Sequence, residues 1–244
     1  MAREPNQFDA LLVPVDAKPQ PLPPDIKLSP SRFLPSPTAT TPEGLLCVGG
    51  RLTPEWLLDA YSHGIFPWPM WDDEPIAWWS PDPRAIIELD GLHVSRRLQR
   101  TMRSGQFHVT YDRDFEGVIR SCATTGDRTN NTWLTPSMIA AYCRMHELGH
   151  AHSVEVLQDG ELVGGTYGLA VGALFAAESM FHTARDASKV AVANLVAHLR
   201  SRHYELLDVQ QWTPHTGRQG ATEISRVEYL RRLAPAVKRP VTFG

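Results

Sequence analysis

The chain has 244 residues and 24 Lys plus Arg against 27 Asp plus Glu, a formal net charge of −3 with a pI of about 6.4, which excludes a uniformly basic coat for nucleic acid. Hydrophobic residues at 42% and aromatics at 9% supply apolar surface for one large or two small domains. Cys47, Cys122 and Cys143 are odd in number and lack C-x-x-C spacing, no run of 18 apolar residues occurs, and MAREPNQFDA has no export core, so disulfide, membrane and secreted readings give way to a cytoplasmic one.

Ten of the 20 prolines lie in the first 42 residues. Proline fixes φ and removes a donor, so residues 1–35 are predicted to be an extended, irregular lead-in. Thr53 as N-cap, Pro54 at the first helical position and Gly64 as a stop predict the first firm helix. Ile65 to Trp71 and Trp78 to Arg84 are too rich in proline for regular structure, yet they carry four tryptophans, which predicts packed loops. Strands are expected at 84–89 and 106–111 with a helix from Ser95 to Arg103 between them, and Asp112 or Asp114 can cap a further helix running to Cys122.

Thr135-Pro136 starts a second strong helix, with Met138, Tyr142, Met145 and Leu148 at helical spacing and Gly149 as its end. Residues 152–158 and 161–169 flank Asp159-Gly160, a hairpin signal, and Val171-Gly172 turns into a third strand over 173–181. A long helix over 187–203 then leads to a strand over 206–210. Three antiparallel strands, a crossover helix and a further strand make an α+β layout that looks like the core of the GNAT (N-acetyltransferase-like) fold. The organisation expected is a lead-in over 1–35, a small N-terminal α/β domain over 36–110 and a GNAT-like C-terminal transferase domain over 111–244.

Three motifs need weighing. His146-Glu147-Leu148-Gly149-His150 satisfies H-E-x-x-H, but Gly149 ends the helix before His150, so the imidazoles do not share a helix face and no metal site is expected. Gly164, Gly165 and Gly168 within a strand signal either a twisted strand or room for a bulky ligand. A CoA-dependent acetyltransferase would need a glycine-rich turn before its long helix, and residues 182–189, HTARDASK, contain no glycine. Arg96, Arg100 and Arg103 fall on one helical face in a stretch, 91–111, that contains no Asp or Glu, a one-signed face suited to phosphate.

These pieces closely resemble the leucyl/phenylalanyl-tRNA–protein transferase family. The resemblance is carried by Gly44-Leu45-Leu46 with Val48-Gly49-Gly50, Tyr61 with Gly64-Ile65-Phe66-Pro67-Trp68, Trp78-Trp79-Ser80-Pro81-Asp82-Pro83-Arg84 and Thr132-Trp133. It continues through residues 150–155, Leu162-Val163-Gly164-Gly165, Glu178-Ser179-Met180-Phe181, Ala187-Ser188-Lys189 and Asp208-Val209-Gln210, covering about residues 36–230.

The resemblance implies a cytoplasmic, monomeric enzyme that moves Leu, Phe or, less well, Met from aminoacyl-tRNA to proteins beginning with Arg or Lys, marking them for degradation by the N-end rule, with no metal and no CoA. It assigns chemistry to Asp208 and Gln210, whose alternation on a strand puts them on one face. Glu178 is expected to recognise the cationic acceptor residue. Phe175, with space left by Gly164 and Gly165 and with Thr166 beside it, is expected to form the donor side-chain pocket. Tyr61, Trp68 and Trp133 are candidates for the terminal adenosine, and Arg96, Arg100 and Arg103 for the tRNA stem. Thr166, His182, Asp186 and Arg51 depart from common family residues, and Thr213 sits at a variable one. Rival readings are a CoA-dependent acetyltransferase on the same fold and a non-catalytic tRNA-binding module.

Overall fold

The computed structural model describes residues 11–69, 75–92, 94–126 and 132–244, and contacts divide its backbone into two units. The first runs to Arg84 and recovers Ile224–Pro235 from far along the chain. Its antiparallel sheet has the order β1-β2-β4-β3, formed by β1 (Leu12–Pro14), β2 (Leu45–Gly49), β3 (Phe66–Pro67) and β4 (Ala77–Trp79). The lead-in was expected to be irregular, but Leu12 pairs opposite Gly49. A short apolar run ending in proline suits an edge strand, where the missing N–H costs no ladder bond. Gly49, at φ 101°, permits that pairing, since a Cβ there would lie 1.8 Å from the Leu11 carbonyl oxygen.

Helix α1 (Pro54–Ser62) begins after Thr53 as the sequence predicts, although the Thr53 hydroxyl makes no capping bond. Leu57, Ile65 and Trp78 are buried with Tyr229, Leu230 and Leu233, which come from α7 (Arg226–Ala236). The tryptophan loops are packed and bonded: Trp78 Nε1 donates to the Gly49 carbonyl at 2.8 Å and Trp79 Nε1 to that of Trp68 at 3.1 Å. Met70 and Trp71 lie outside the described residues. Arg84 is buried, donating to the Gly64 carbonyl at 3.0 Å and lying 4.7 and 4.6 Å from the ring centres of Phe66 and Tyr229. Such cation–π contacts offset part of the desolvation of the guanidinium.

The second unit holds Ala85–Glu223 and Ala236–Gly244. Its strands are β5 (Arg84–Ile87), β6 (His108–Tyr111), β7 (Ala151–Gln158), β8 (Glu161–Val171), β9 (Leu174–His182), β10 (Leu206–Gln210) and β11 (Ala221–Ile224), in the order β11-β5-β10-β9-β8-β7-β6. Strands β7, β8 and β9 are antiparallel neighbours, α5 (Ala187–Ser201) crosses over, and β10 lies parallel to β9 with Leu206 opposite Leu174. The layout expected of a GNAT-like core is therefore present. The boundary expected at residue 110 falls inside this unit, because β5 pairs with β10, Leu207 opposite Ile87, and β6 pairs with β7.

Helix α5 packs Val192, Leu195, Val196 and Leu199 against Val154, Phe175 and Leu207. Tyr167, which follows Thr166 on β8 and so faces the other way, meets Phe115 of α3 (Phe115–Thr124) and Tyr142 of α4 (Pro136–Glu147) edge to face, both at 5.7 Å. Helix α2 (Arg96–Arg103) is capped by Ser95 Oγ, which accepts the Leu98 N–H, and it buries Leu98 alone. A short α6 (Pro214–Gly217) begins at Thr213, whose hydroxyl and that of Thr216 make a capping box.

Candidate active site

Pairing between β9 and β10 stops at Asp208 opposite Ala176. Beyond that point both strands are irregular. On β10, Asp208 faces Ile86 and Gln210 faces Ala85, leaving Val209 as an extra residue. On β9, Ser179 faces Tyr167 and Ala177 faces Gly168, leaving Glu178 as the extra one. A bulge bends its strand and re-aims side chains. Gln210 also has φ of 64°, a left-handed conformation that costs a non-glycine residue of order 1 kcal/mol or more unless its surroundings hold it.

The surroundings do hold it. Asp208 Oδ1 accepts the Gln210 backbone N–H at 2.8 Å, Gln210 Nε2 donates to Glu178 Oε1 at 2.8 Å, and the Tyr142 hydroxyl donates to Glu178 Oε2 at 3.1 Å. Asp208, Gln210 and Glu178 are only 0%, 4% and 9% exposed. Simple alternation was expected to set Asp208 and Gln210 on one face. The bulge at Val209 replaces that alternation, and a side-chain to backbone hydrogen bond joins the two residues instead. An ionised carboxylate only accepts, so the Gln210 amide nitrogen must face Glu178, and its Oε1 accepts no bond from the described residues. Glu178 accepts from both Tyr142 and Gln210, so a buried carboxylate stands at the centre of the cluster, a group suited to a cationic donor.

The residues expected around the donor side chain are closely packed. Phe175 is 1% exposed and stacks on Phe243 at 5.7 Å within the core cluster under α5. Gly164 and Gly165 face opposite sides of β8: a Cβ on Gly164 would lie 2.6 Å from that of Ala187 in α5, and one on Gly165 would lie 3.1 Å from Val118 Cγ2 in α3. These glycines admit two helices rather than a ligand. Gly168 likewise makes way for the Phe175 ring, 2.4 Å from where its Cβ would stand. Thr166 is buried, and its hydroxyl donates to the Ser179 carbonyl at 2.9 Å.

The other expected residues are placed unevenly. Tyr61 is 1% exposed in the core of the first unit, so its ring offers no open face to an adenosine; Trp68 and Trp133 are half-buried. Arg96, Arg100 and Arg103 are exposed and have no acidic partner among the described residues, whereas Arg97 bonds Asp186 at 2.5 Å. Asp186 stands at the start of α5 with φ of 67°, and the hydrogen bond from Lys189, with Arg97 behind it, holds its carboxyl below the usual range. An acid occupies the place where a pyrophosphate cradle would present amides. In the H-E-x-x-H stretch, α4 ends at Glu147, Gly149 has φ of 77°, and His146 Nδ1 lies 2.8 Å from the Ala151 carbonyl while its ring stacks on Phe115 at 4.4 Å.

One contributor was missed from the sequence. Tyr142 was counted only as an apolar member of the α4 face, although a buried phenol needs a polar partner and so pointed to one. Outside the cluster, Gln219 Nε2 lies 3.4 Å from Met180 Sδ and 3.1 Å from His215 Nε2.

The family pattern described as leucyl/phenylalanyl-tRNA protein transferase matches residues 86–234, and that of its N-terminal domain matches residues 50–82. The leucyl/phenylalanyl-tRNA–protein transferase of Solidesulfovibrio magneticus is 55% identical over 204 residues, 83% of this chain and 82% of its own. That of Pseudomonas putida is 52% identical over 199 residues, covering 82% and 88%. That of an Anaeromyxobacter species is 52% identical over 213 residues, covering 86% and 90%. The chain belongs to the leucyl/phenylalanyl-tRNA–protein transferase family.

Proposed function

We propose that this chain transfers Leu or Phe, and less well Met, from aminoacyl-tRNA to the amino terminus of proteins that begin with Arg or Lys, in the cytoplasm and as a step toward their degradation. The observation that carries this reading is the buried trio of Glu178, Gln210 and Asp208, in which a strained glutamine is locked with its amide oxygen left over. Family membership supports leucyl- or phenylalanyl-tRNA as donor and a protein as acceptor. No helix among the described residues is long and apolar enough to cross a membrane.

The donor is an ester, already activated, so the enzyme's task is to hold an α-amine against its carbonyl and route one proton. A free α-amine titrates near 7.7 to 8.0, so roughly a tenth is neutral at pH 7. Glu178 binds the cationic side chain of the acceptor. Gln210 Oε1 accepts a hydrogen bond from the attacking amine and aims its lone pair at the ester carbon. As the new C–N bond forms and the C–O bond to the terminal ribose breaks, the amine loses a proton and the departing ribose oxygen gains one. A neutral amide is too weak a base to keep that proton, so Gln210 orients, and Asp208 fixes Gln210 through its backbone while adding negative potential behind it. A donor pocket that discriminates by packing separates side chains differing by one methylene by only ~1–3 kcal/mol, which accounts for tolerance among Leu, Phe and Met.

The test supplies labelled Phe-tRNA with two peptides identical except for a first residue of Arg or Ala. Label should enter the Arg peptide alone. Equal labelling of both, or of neither, overturns the reading.

A further inference from the structure

The second unit holds a cavity of about 260 Å³ that none of the roles above uses. Leu98 and Ser95 from the start of α2 form one wall, and Val192 and Ala193 from α5 form another, with Leu92 and Val94 between them. Gln219 and Arg218 complete the lining. Gln219 is 6% exposed, and its Oε1 is buried with no hydrogen-bond partner among the described residues. An unmet buried acceptor is uncommon and calls for a donor.

The opening carries cations. Arg218 lines it, exposed and with no acidic partner among the described residues. Lys189 also lines it, with its charge tied to Asp186 at 2.9 Å. An apolar slot with one hydrogen-bond acceptor at its wall and the Arg218 guanidinium at its edge matches a group with a flat apolar body, an N–H edge and an attached phosphate. A Leu or Phe side chain would fill the slot but leave both Gln219 Oε1 and the cations unanswered.

We propose that this cavity receives a nucleobase of the aminoacyl-tRNA upstream of the terminal adenosine, with Gln219 accepting from the N–H edge of the base and Arg218 holding its phosphate. The proposal rests on the transfer reading above and deepens it by giving the tRNA a second point of attachment beside the arginine face. Base recognition by burial, edge hydrogen bonding and a neighbouring cation is a common mode for unstacked RNA.

The experiment compares Gln219→Leu and Arg218→Ala with the native enzyme on three measurements: KM for Phe-tRNA, KM for 3′-phenylalanyl-adenosine, and affinity for uncharged tRNA. Each variant should raise KM for Phe-tRNA and weaken uncharged tRNA about tenfold, as expected for a lost hydrogen bond to a polar or charged partner, and leave 3′-phenylalanyl-adenosine within about twofold. Arg218→Ala should also reduce the salt dependence of tRNA binding by roughly one phosphate contact. An equal loss on 3′-phenylalanyl-adenosine would assign the cavity to the donor amino acid and overturn the proposal, as would unchanged tRNA binding in both variants. Arg218 is exposed, so its variant carries the test even if Gln219→Leu disturbs folding. Failure of the native enzyme to use Phe-tRNA would sink the transfer reading itself, while the uncharged-tRNA measurement would still decide on the cavity.

Discussion

The Glu178, Gln210 and Asp208 trio and the arginine face of α2 carry opposite charge and are built by opposite means. The trio is buried, each member is held by a named partner, and its backbone departs from the regular strand at two bulges. The arginines stand on a regular helix, exposed and without acidic partners among the described residues. A site that positions reacting atoms needs side chains fixed to within a fraction of an ångström, whereas a site that attracts phosphate needs charge density more than geometry. The first therefore tolerates little change in shape, and the second little change in sum.

The widest separation between the two regions should come from Glu178→Gln. The neutral amide keeps the shape but loses the charge proposed to bind Arg or Lys, so kcat/KM for an Arg-starting peptide should fall about a hundredfold or more with tRNA affinity nearly unchanged. A parallel loss of tRNA affinity would erase the proposed division of labour. Next in size is the joint replacement of Arg96, Arg100 and Arg103 by Ala. Binding of tRNA should weaken about tenfold at moderate salt, and the slope of log affinity against log salt should become shallower by roughly two to three, while the peptide KM stays put.

Asp208 offers a finer probe. Asp208→Ala removes the acceptor of the Gln210 N–H and should cost ~1–3 kcal/mol of stability along with activity. Asp208→Asn can still accept that bond, so chemical denaturation should find much of the stability restored; any remaining deficit in kcat then measures what the negative charge contributes. The smallest effect on transfer is expected from Gly164→Ala. The added methyl meets Ala187 and should lower stability by ~1–3 kcal/mol in a thermal melt, with the choice between Leu and Phe unaltered. A changed donor preference would return Gly164 to the ligand site.

The same contrast explains what the sequence made legible. The arginine face follows from spacing alone, since 100° per residue places positions 96, 100 and 103 together, and the order of strands and helices follows from hairpin and capping signals. Glu178, Gln210 and Asp208 were found by motif, yet the way they meet was not readable. A bulge shifts the alternation by one residue without leaving a compositional mark, and Gln210 adopts a backbone conformation usually left to glycine. The glycine pair was misread for a related reason. Gly164 and Gly165 announce close approach, but only the packed helices reveal that Ala187 and Val118, rather than a ligand, make it.

The late return of Ile224–Pro235 to the first unit bears on how the chain is made. During synthesis, residues up to Arg84 leave the ribosome long before Tyr229, Leu230 and Leu233 exist. Until then the site beside Gly64 lacks its cover and Arg84 lacks one of its two rings. The first unit must wait through translation of Ala85–Glu223, a high contact order that slows its completion and leaves apolar surface exposed to chaperones or aggregation in the interval. A chain released early, before α7, would be short not of a tail but of part of its amino-terminal core.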